Sequence, residues 1–292
     1  MSILFRCDSS SVLGLGHVMR CLVLSKEYPK KAVHFACRNL EGNINSQIPY
    51  PLHVVPSNEP EEIIKLISAL HVKMLIIDHY GINYEAERKI KEKTGVKILA
   101  FDDTYEKHCC DTLRNPNLCA DASRYKGLVP SYCELQCGIP LIREEFYREK
   151  KIKREKISDI FLAMGGTDSA NLTTPILKAL PKTLHVNVLS TNANANLEAL
   201  KTYVKTKPNV SLHVNTKEVA KLLHQSRFAI ISASTLAHEV LFMDVPFLAI
   251  KTADNQADMV AYLQAQGYRT IDRWDEALFE HTLRSSFAHW HL

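Results

Sequence analysis

Residues 9–20 read Ser9-Ser10-Ser11-Val12-Leu13-Gly14-Leu15-Gly16-His17-Val18-Met19-Arg20. They follow a short apolar run, Ile3 to Cys7, and precede the apolar-periodic segment Val18 to Tyr28. This order places a histidine behind two glycines, where a strand hands over to a helix. Unpaired N–H groups at a helix N-terminus favour anions. Glycine lets the backbone come close to them, and an imidazole changes charge near neutral pH. The segment reads as an anion site with a titratable base at its mouth.

The rest of the chain repeats the same grammar. Ala32–Cys37 and Leu52–Val55 suit strands, and 60–70 carries Ile63, Ile64, Leu66, Ile67 and Leu70 at helical spacing. Lys73–Asp78 and Val96–Phe101 are continuous apolar runs around a helical Tyr84–Thr94. Strands without polar alternation, separated by helices, predict a parallel sheet covered on both faces. Residues 102–150 are less regular. The alternation restarts with a strand at Ile157–Met164, the turn Gly165-Gly166-Thr167-Asp168, and a helix over Ser169–Leu180 capped by Asp168 or Ser169. Strands at Val186–Leu189, Val210–Val214, Phe228–Ile231 and Val245–Ile250 follow, with helices at Thr235–Met243 and Asn255–Gly267. The expectation is an α/β protein of two Rossmann-like domains, 1–150 and 151–292, with the active site in the cleft between them.

Composition narrows the function. The chain has 292 residues, 46% of them hydrophobic, and a net charge of +4, which suits two soluble domains. Its basic residues are scattered, and the densest run, Arg148 to Lys156, also carries two glutamates. That excludes the concentrated basic face of a nucleic-acid binder. No apolar stretch reaches membrane-spanning length, and the start shows no secretory signal. Eight cysteines without a Cys-x-x-Cys pair read as reduced thiols of a cytoplasmic enzyme. A zinc site from Cys133 and Cys137 with Cys109 or His108 lacks a usual ligand spacing.

The remaining motifs suit phosphate, ribose and sugar contacts. Gly14-Leu15-Gly16-His17 is neither a dinucleotide fingerprint nor a Walker loop. Gly165, Gly166 and Thr167 form the matching turn of the second half. Ser232-Ala233-Ser234-Thr235 leads into a helix with Glu239 about one turn in. Ser234 and Thr235 suit phosphate there, and the Glu239 carboxylate can take both hydroxyls of a ribose. Asn255 and Gln256 open the next helix with amides that can hold a sugar or diphosphate. Asp78 can orient either His79 or His17, and Tyr80 can lie against a sugar ring. Asp102 and Asp103 make a weak magnesium pair without a third ligand. The tail His289-Trp290-His291 reads as a surface end.

Taken together, these strings resemble the GT-B-fold UDP-sugar hydrolases of pseudaminic acid biosynthesis, which act on UDP-2,4-diacetamido-2,4,6-trideoxy-β-L-altropyranose. The resemblance is carried by 5–11, Gly14-x-Gly16-His17, 76–81, 95–99, 127–130, 141–147, 164–168, 230–234 and Asn255-Gln256. It spans about residues 1–268. It implies a GT-B architecture, a metal-free reaction without cofactor, and His17 as the base that removes UDP from the anomeric carbon. It implies that Tyr80 and Asn255 line the site as catalytic residues. Ser10, Gly14, Gly16, Gly165, Gly166, Thr167, Ser234, Thr235, Glu239 and Asn255 would bind UDP, with Glu239 on the uridine ribose. Cys7 stands where relatives carry serine. A small-molecule UDP-sugar is then the partner of a cytoplasmic monomer. The alternative is a GT-B glycosyltransferase that uses a UDP-sugar donor.

Overall fold

The computed structural model describes residues 2–286; the tail around Trp290 lies outside them. The chain forms two compact units, Met1–Leu141 and Ile142–Leu292. The division falls before Arg143, ahead of the boundary at 150 read from composition.

The first unit contains β1 (Ser2–Cys7), α1 (Gly16–Leu24), β2 (Val33–Cys37), β3 (Leu52–Val54), α2 (Pro60–Leu70), β4 (Val72–Asp78), α3 (Tyr84–Thr94), β5 (Lys97–Phe101), β6 (Thr112–Asn115) and β7 (Glu134–Cys137). Its sheet runs β3-β2-β1-β4-β5-β6-β7, and every pairing is parallel. Side chains alternate across a strand, so each face of this sheet seals its own core. Leu4, Leu75, Ile77, Ile98 and Leu113 pack on one face. Ile3, Phe5, Phe35, Ile76, Leu99 and Phe101 pack on the other. Burial on both faces is why β4 and β5 carry the apolar runs 74–77 and 98–101.

The second unit contains α4 (Glu144–Glu149), β8 (Ser158–Ala163), α5 (Thr173–Ala179), β9 (Val186–Ser190), α6 (Leu197–Val204), β10 (Val210–Val214), α7 (Val219–His224), β11 (Ser226–Ser232), α8 (Thr235–Phe242), β12 (Phe247–Ile250), α9 (Ala257–Ala265), β13 (Arg269–Ile271) and α10 (Glu276–Ser286). Its sheet runs β10-β9-β8-β11-β12-β13, again parallel throughout.

Both sheets have the doubly wound order, in which the first strand of the unit lies beside the fourth. The connections leave β1 and β4 toward opposite flanks, as they do β8 and β11. Such a switch point opens a crevice at the carboxyl ends of the strands, where ligands of α/β sheets bind. The serine–glycine–histidine loop, the segment after Asp78, the Gly165 turn and the Ser234 segment leave these four strand ends, while Asp102-Asp103 follows β5 and Asn255-Gln256 follows β12.

Two local expectations are revised. The stretch 102–150 contributes two strands, β6 and β7, and the short helix α4. The helix predicted from Ser169 starts at Thr173, because Asp168 and Asn171 take left-handed backbone (φ 43° and 52°) and delay it.

Candidate active site

The first switch point carries the histidine. Gly14 has φ +79°, a conformation that costs glycine nothing. The loop before it closes on itself, with Ser10 and Gly14 exchanging backbone hydrogen bonds of 3.2 and 3.0 Å. Ser10 Oγ accepts from the N–H groups of Val12 and Leu13, and Ser9 Oγ accepts from Ile44 N–H. The serine oxygens of this loop shape it. His17 then falls in the first turn of α1.

His17 is buried (7% exposed). Its Nδ1 lies 2.6 Å from Asp78 Oδ1, at the carboxyl end of β4. Arg20, one turn further along α1, grips the same carboxylate through Nε at 2.7 Å and Nη2 at 2.6 Å. Burial alone would raise the Asp78 carboxyl, but Arg20 and His17 outweigh it and hold it well below the usual carboxylate range. An ionised carboxylate only accepts, so the proton sits on Nδ1 and the lone pair of the neutral ring on Nε2. Nε2 makes no hydrogen bond among the described residues. Tyr80 stands edge-on to the imidazole, with centroids 4.8 Å apart at 83°, and donates its O–H to Asp103 Oδ1 at 2.7 Å.

Of the two histidines that Asp78 could orient, the structure selects His17. His79 turns to Asp8 (2.9 Å) and accepts from Gly81 N–H through Nδ1. Burial comes first among the causes that lower its titration, which keeps the ring neutral. Asp8 is also held by Arg6 and Arg38. This buried cluster braces the end of β1 beside the loop. A Cβ on Gly81 would lie 2.6 Å from Asn58 Nδ2 and 2.8 Å from His79 Cε1, so a larger residue there must displace these side chains.

In the second unit, Gly165 and Ser234 follow the neighbouring strands β8 and β11. A Cβ on Gly165 would be 3.9 Å from Ser232 Oγ, which is hydrogen-bonded to Ser234 Oγ at 2.9 Å. The two motifs are therefore side by side. Their helix ends differ. The N–H groups of Leu172 and Thr173 at the start of α5 donate to the Asp168 carboxylate, so that end already has its anion. Ser234 caps α8 without a side-chain hydrogen bond to the helix. The first-turn N–H groups of α8, beginning at Thr235, are the ones an incoming anion can meet. Gly166 and Thr167 remain in the loop after β8, and Gly166 C=O accepts from Thr191.

Glu239 is 5% exposed and is clamped by Arg143, Nε to Oε1 and Nη2 to Oε2, both 2.7 Å. Asn255 lies in a single 3₁₀ turn, Asp254–Gln256, after β12. Gln256 accepts from Thr252 N–H and so holds that loop. Asn255 is exposed and makes no side-chain hydrogen bond among the described residues.

The residues of two further candidate clusters have partners within the chain. Asp102 accepts from Thr104, Tyr105 and Tyr125, while Asp103 serves Tyr80 and Arg20. His108 is taken by Glu87 (2.7 Å), and Cys133 faces Cys110, sulfur to sulfur at 3.6 Å. Among the described residues no three His, Cys, Asp or Glu side chains group as metal ligands, and no helix is long and apolar enough to cross a membrane.

Arg20 and Arg143 were missed in the sequence. Arg20 had a signal: three residues after His17 on a helix, it shares that residue's face. Arg143 had none, because its partner is 96 residues away.

No family model matches the chain. A curated relative, the UDP-2,4-diacetamido-2,4,6-trideoxy-beta-L-altropyranose hydrolase of Campylobacter jejuni, is 46% identical over 270 residues, covering 92% of this chain and 98% of the relative. The spore coat polysaccharide biosynthesis protein SpsG of Bacillus subtilis is 23% identical, over 89% of this chain and 80% of its own length. Among solved structures, the Methanocaldococcus jannaschii UDP-GlcNAc 2-epimerase in complex with UDP-GlcNAc and UDP superposes with a TM-score of 0.65 at 9% identity, over 98% of this chain and 92% of that one. That likeness shows the GT-B fold. The identity to the Campylobacter enzyme, across nearly the whole of both sequences, shows that this chain belongs to the family of UDP-2,4-diacetamido-2,4,6-trideoxy-β-L-altropyranose hydrolases.

Proposed function

We propose that this protein is a cytoplasmic enzyme that hydrolyses UDP-2,4-diacetamido-2,4,6-trideoxy-β-L-altropyranose to UDP and 2,4-diacetamido-2,4,6-trideoxy-L-altropyranose, a step of pseudaminic acid biosynthesis. Water attacks C1 as the C1–O bond to UDP breaks, and UDP leaves with the electron pair. His17 Nε2 takes the proton that the water gives up. One displacement inverts the anomeric centre.

The observation that carries this reading is the Asp78–His17 contact. It fixes the tautomer in which the lone pair of the base lies on Nε2, the nitrogen turned away from the carboxylate. General-base help of this kind contributes about 10²–10⁴-fold in rate. UDP is a stable anion, so departure needs cradling of charge more than a strong acid. Thr235 and the first turn of α8 supply fixed donors that need no reorganisation, with Ser234 beside them and the glycine turn Gly165-Gly166 next to it. Glu239 accepts from the ribose through Oε2, which keeps a lone pair beyond Arg143 Nη2, while Oε1 already accepts from the Nε and the backbone N–H of Arg143. Tyr80 and Asn255 contact the sugar. Ser10, Gly14 and Gly16 set the loop that delivers His17. No metal takes part.

The test is release of UDP and free sugar from the UDP-sugar with no acceptor present, for the wild type and His17→Phe. The expected result is turnover in the wild type and loss by orders of magnitude in the variant, with UDP affinity retained. Near-normal turnover by the variant would remove His17 from the role.

A further inference from the structure

Three groups meet where one would be enough to aim a histidine. Asp78 Oδ1 accepts from both His17 Nδ1 and Arg20 Nη2, and Oδ2 accepts from Arg20 Nε. Arg20 then reaches Asp103 Oδ2 at 3.2 Å through Nη1, and Asp103 Oδ1 holds the Tyr80 hydroxyl. The guanidinium lies 5.1 Å from the centroid of the Phe101 ring. Arg20 and Asp78 are both buried. Taking an arginine and a carboxylate out of water is costly, and an apolar pair would often hold the fold as well.

Chemistry gives this arrangement a use. A carboxylate on Nδ1 fixes the tautomer that a base needs. The same negative charge favours the imidazolium, whose Nε2 has no lone pair to accept a proton. A cation bound to that carboxylate opposes the second effect and leaves the first intact. Arg20 Nη2 stands 3.4 Å from His17 Nδ1, close enough to disfavour a second positive charge there. The other groups facing the cluster are Asp103, paired with Arg20, the Tyr80 phenol, Cys21, whose thiol lies 3.8 Å from Asp78 Oδ2 and is pushed up by burial, and the buried Cys7 thiol beside Cys21, likewise pushed up by burial.

We propose that Asp78 and Arg20 are positioning residues of opposite electrostatic effect: Asp78 sets the His17 tautomer, and Arg20 cancels the charge by which Asp78 would keep that ring protonated. This rests on His17 being the base.

The test is the pH dependence of kcat and KM on the UDP-sugar for the wild type, Asp78→Asn, Arg20→Met, Arg20→Lys and His17→Phe, with ¹⁵N NMR of histidine-labelled protein. Asn at 78 offers its oxygen to Arg20 and turns its NH₂ toward Nδ1. The expected result is the opposite tautomer by NMR and a kcat lower by about 10²-fold or more, at little change in KM. Arg20→Met is expected to move the acid limb of the profile upward by about one pH unit or more. At high pH, where the ring is neutral in any case, most of its turnover returns. Arg20→Lys keeps the charge, and its acid limb stays with the wild type. Should Arg20→Met not fold, the NMR tautomer and the Asp78→Asn split decide alone. Wild-type limbs and kcat in both the 78 and 20 variants, with His17→Phe inactive, would overturn the proposal and leave the base standing. An active His17→Phe would overturn both.

Discussion

Arg143 meets Glu239 with two parallel hydrogen bonds, each 2.7 Å long, from 96 residues away in sequence. The fork fixes the plane of the carboxylate. If Glu239 holds the ribose, Glu239→Gln removes a charged acceptor and disturbs its orientation together. Hydrogen bonds to charged groups contribute about 1.5–3 kcal/mol. UDP affinity measured by calorimetry is therefore expected to fall roughly 10- to 150-fold, with kcat little changed. Unchanged affinity would take the ribose away from Glu239.

His108 gives the first unit a pH signature. It is buried beside Glu87, with Asp102 Oδ1 3.9 Å from its other nitrogen. Glu87 supplies the hydrogen bond and Asp102 acts through space. Burial opposes the charged ring, but the two carboxylates outweigh it and lift its titration to about 9. A raised value in the folded state stabilises fully below the unfolded value of about 6.5 and is lost as pH rises through about 9. The contribution is on the order of 3 kcal/mol. Urea unfolding between pH 6 and 10 is expected to show the wild type losing stability across this window and His108→Gln losing less. Parallel curves would contradict the assignment.

Asp102 and Asp103 illustrate how much of the site a sequence can show. As neighbours after a strand they suggest a metal pair. Their oxygens are instead spent on Thr104, Tyr105, Tyr125, Tyr80 and Arg20. Exhaustive treatment with EDTA is expected to leave turnover unchanged. Loss of activity restored by Mg²⁺ would contradict this reading.

The fold was legible where burial leaves a one-dimensional trace. β4 and β5 lie between two covered faces, so 74–77 and 98–101 read as apolar runs. β6 and β7 left no such trace. They are four residues each and include Arg114, Asn115, Glu134 and Gln136, and their order comes from pairing beside β5. His17 was legible because a strand, a positive-φ glycine and a helix follow one another within a few residues. Asp78 was legible as a carboxylate for His79 or His17, but the choice between them was not, because Asp78 lies 61 residues from His17 and only the adjacency of β1 and β4 brings it near. The helix after Gly165 was misplaced by four residues. Left-handed backbone at Asp168 and Asn171 is a local strain that apolar spacing does not record.

The central claim is that water attacks carbon and leaves the diphosphate intact. The most direct measurement is hydrolysis of UDP-2,4-diacetamido-2,4,6-trideoxy-β-L-altropyranose in ¹⁸O-water, with both products analysed by mass spectrometry before the sugar exchanges. A single displacement at C1 places the label in the C1 hydroxyl of the released sugar and none in UDP. Label in the terminal phosphate of UDP would mean attack at phosphorus and would contradict the account.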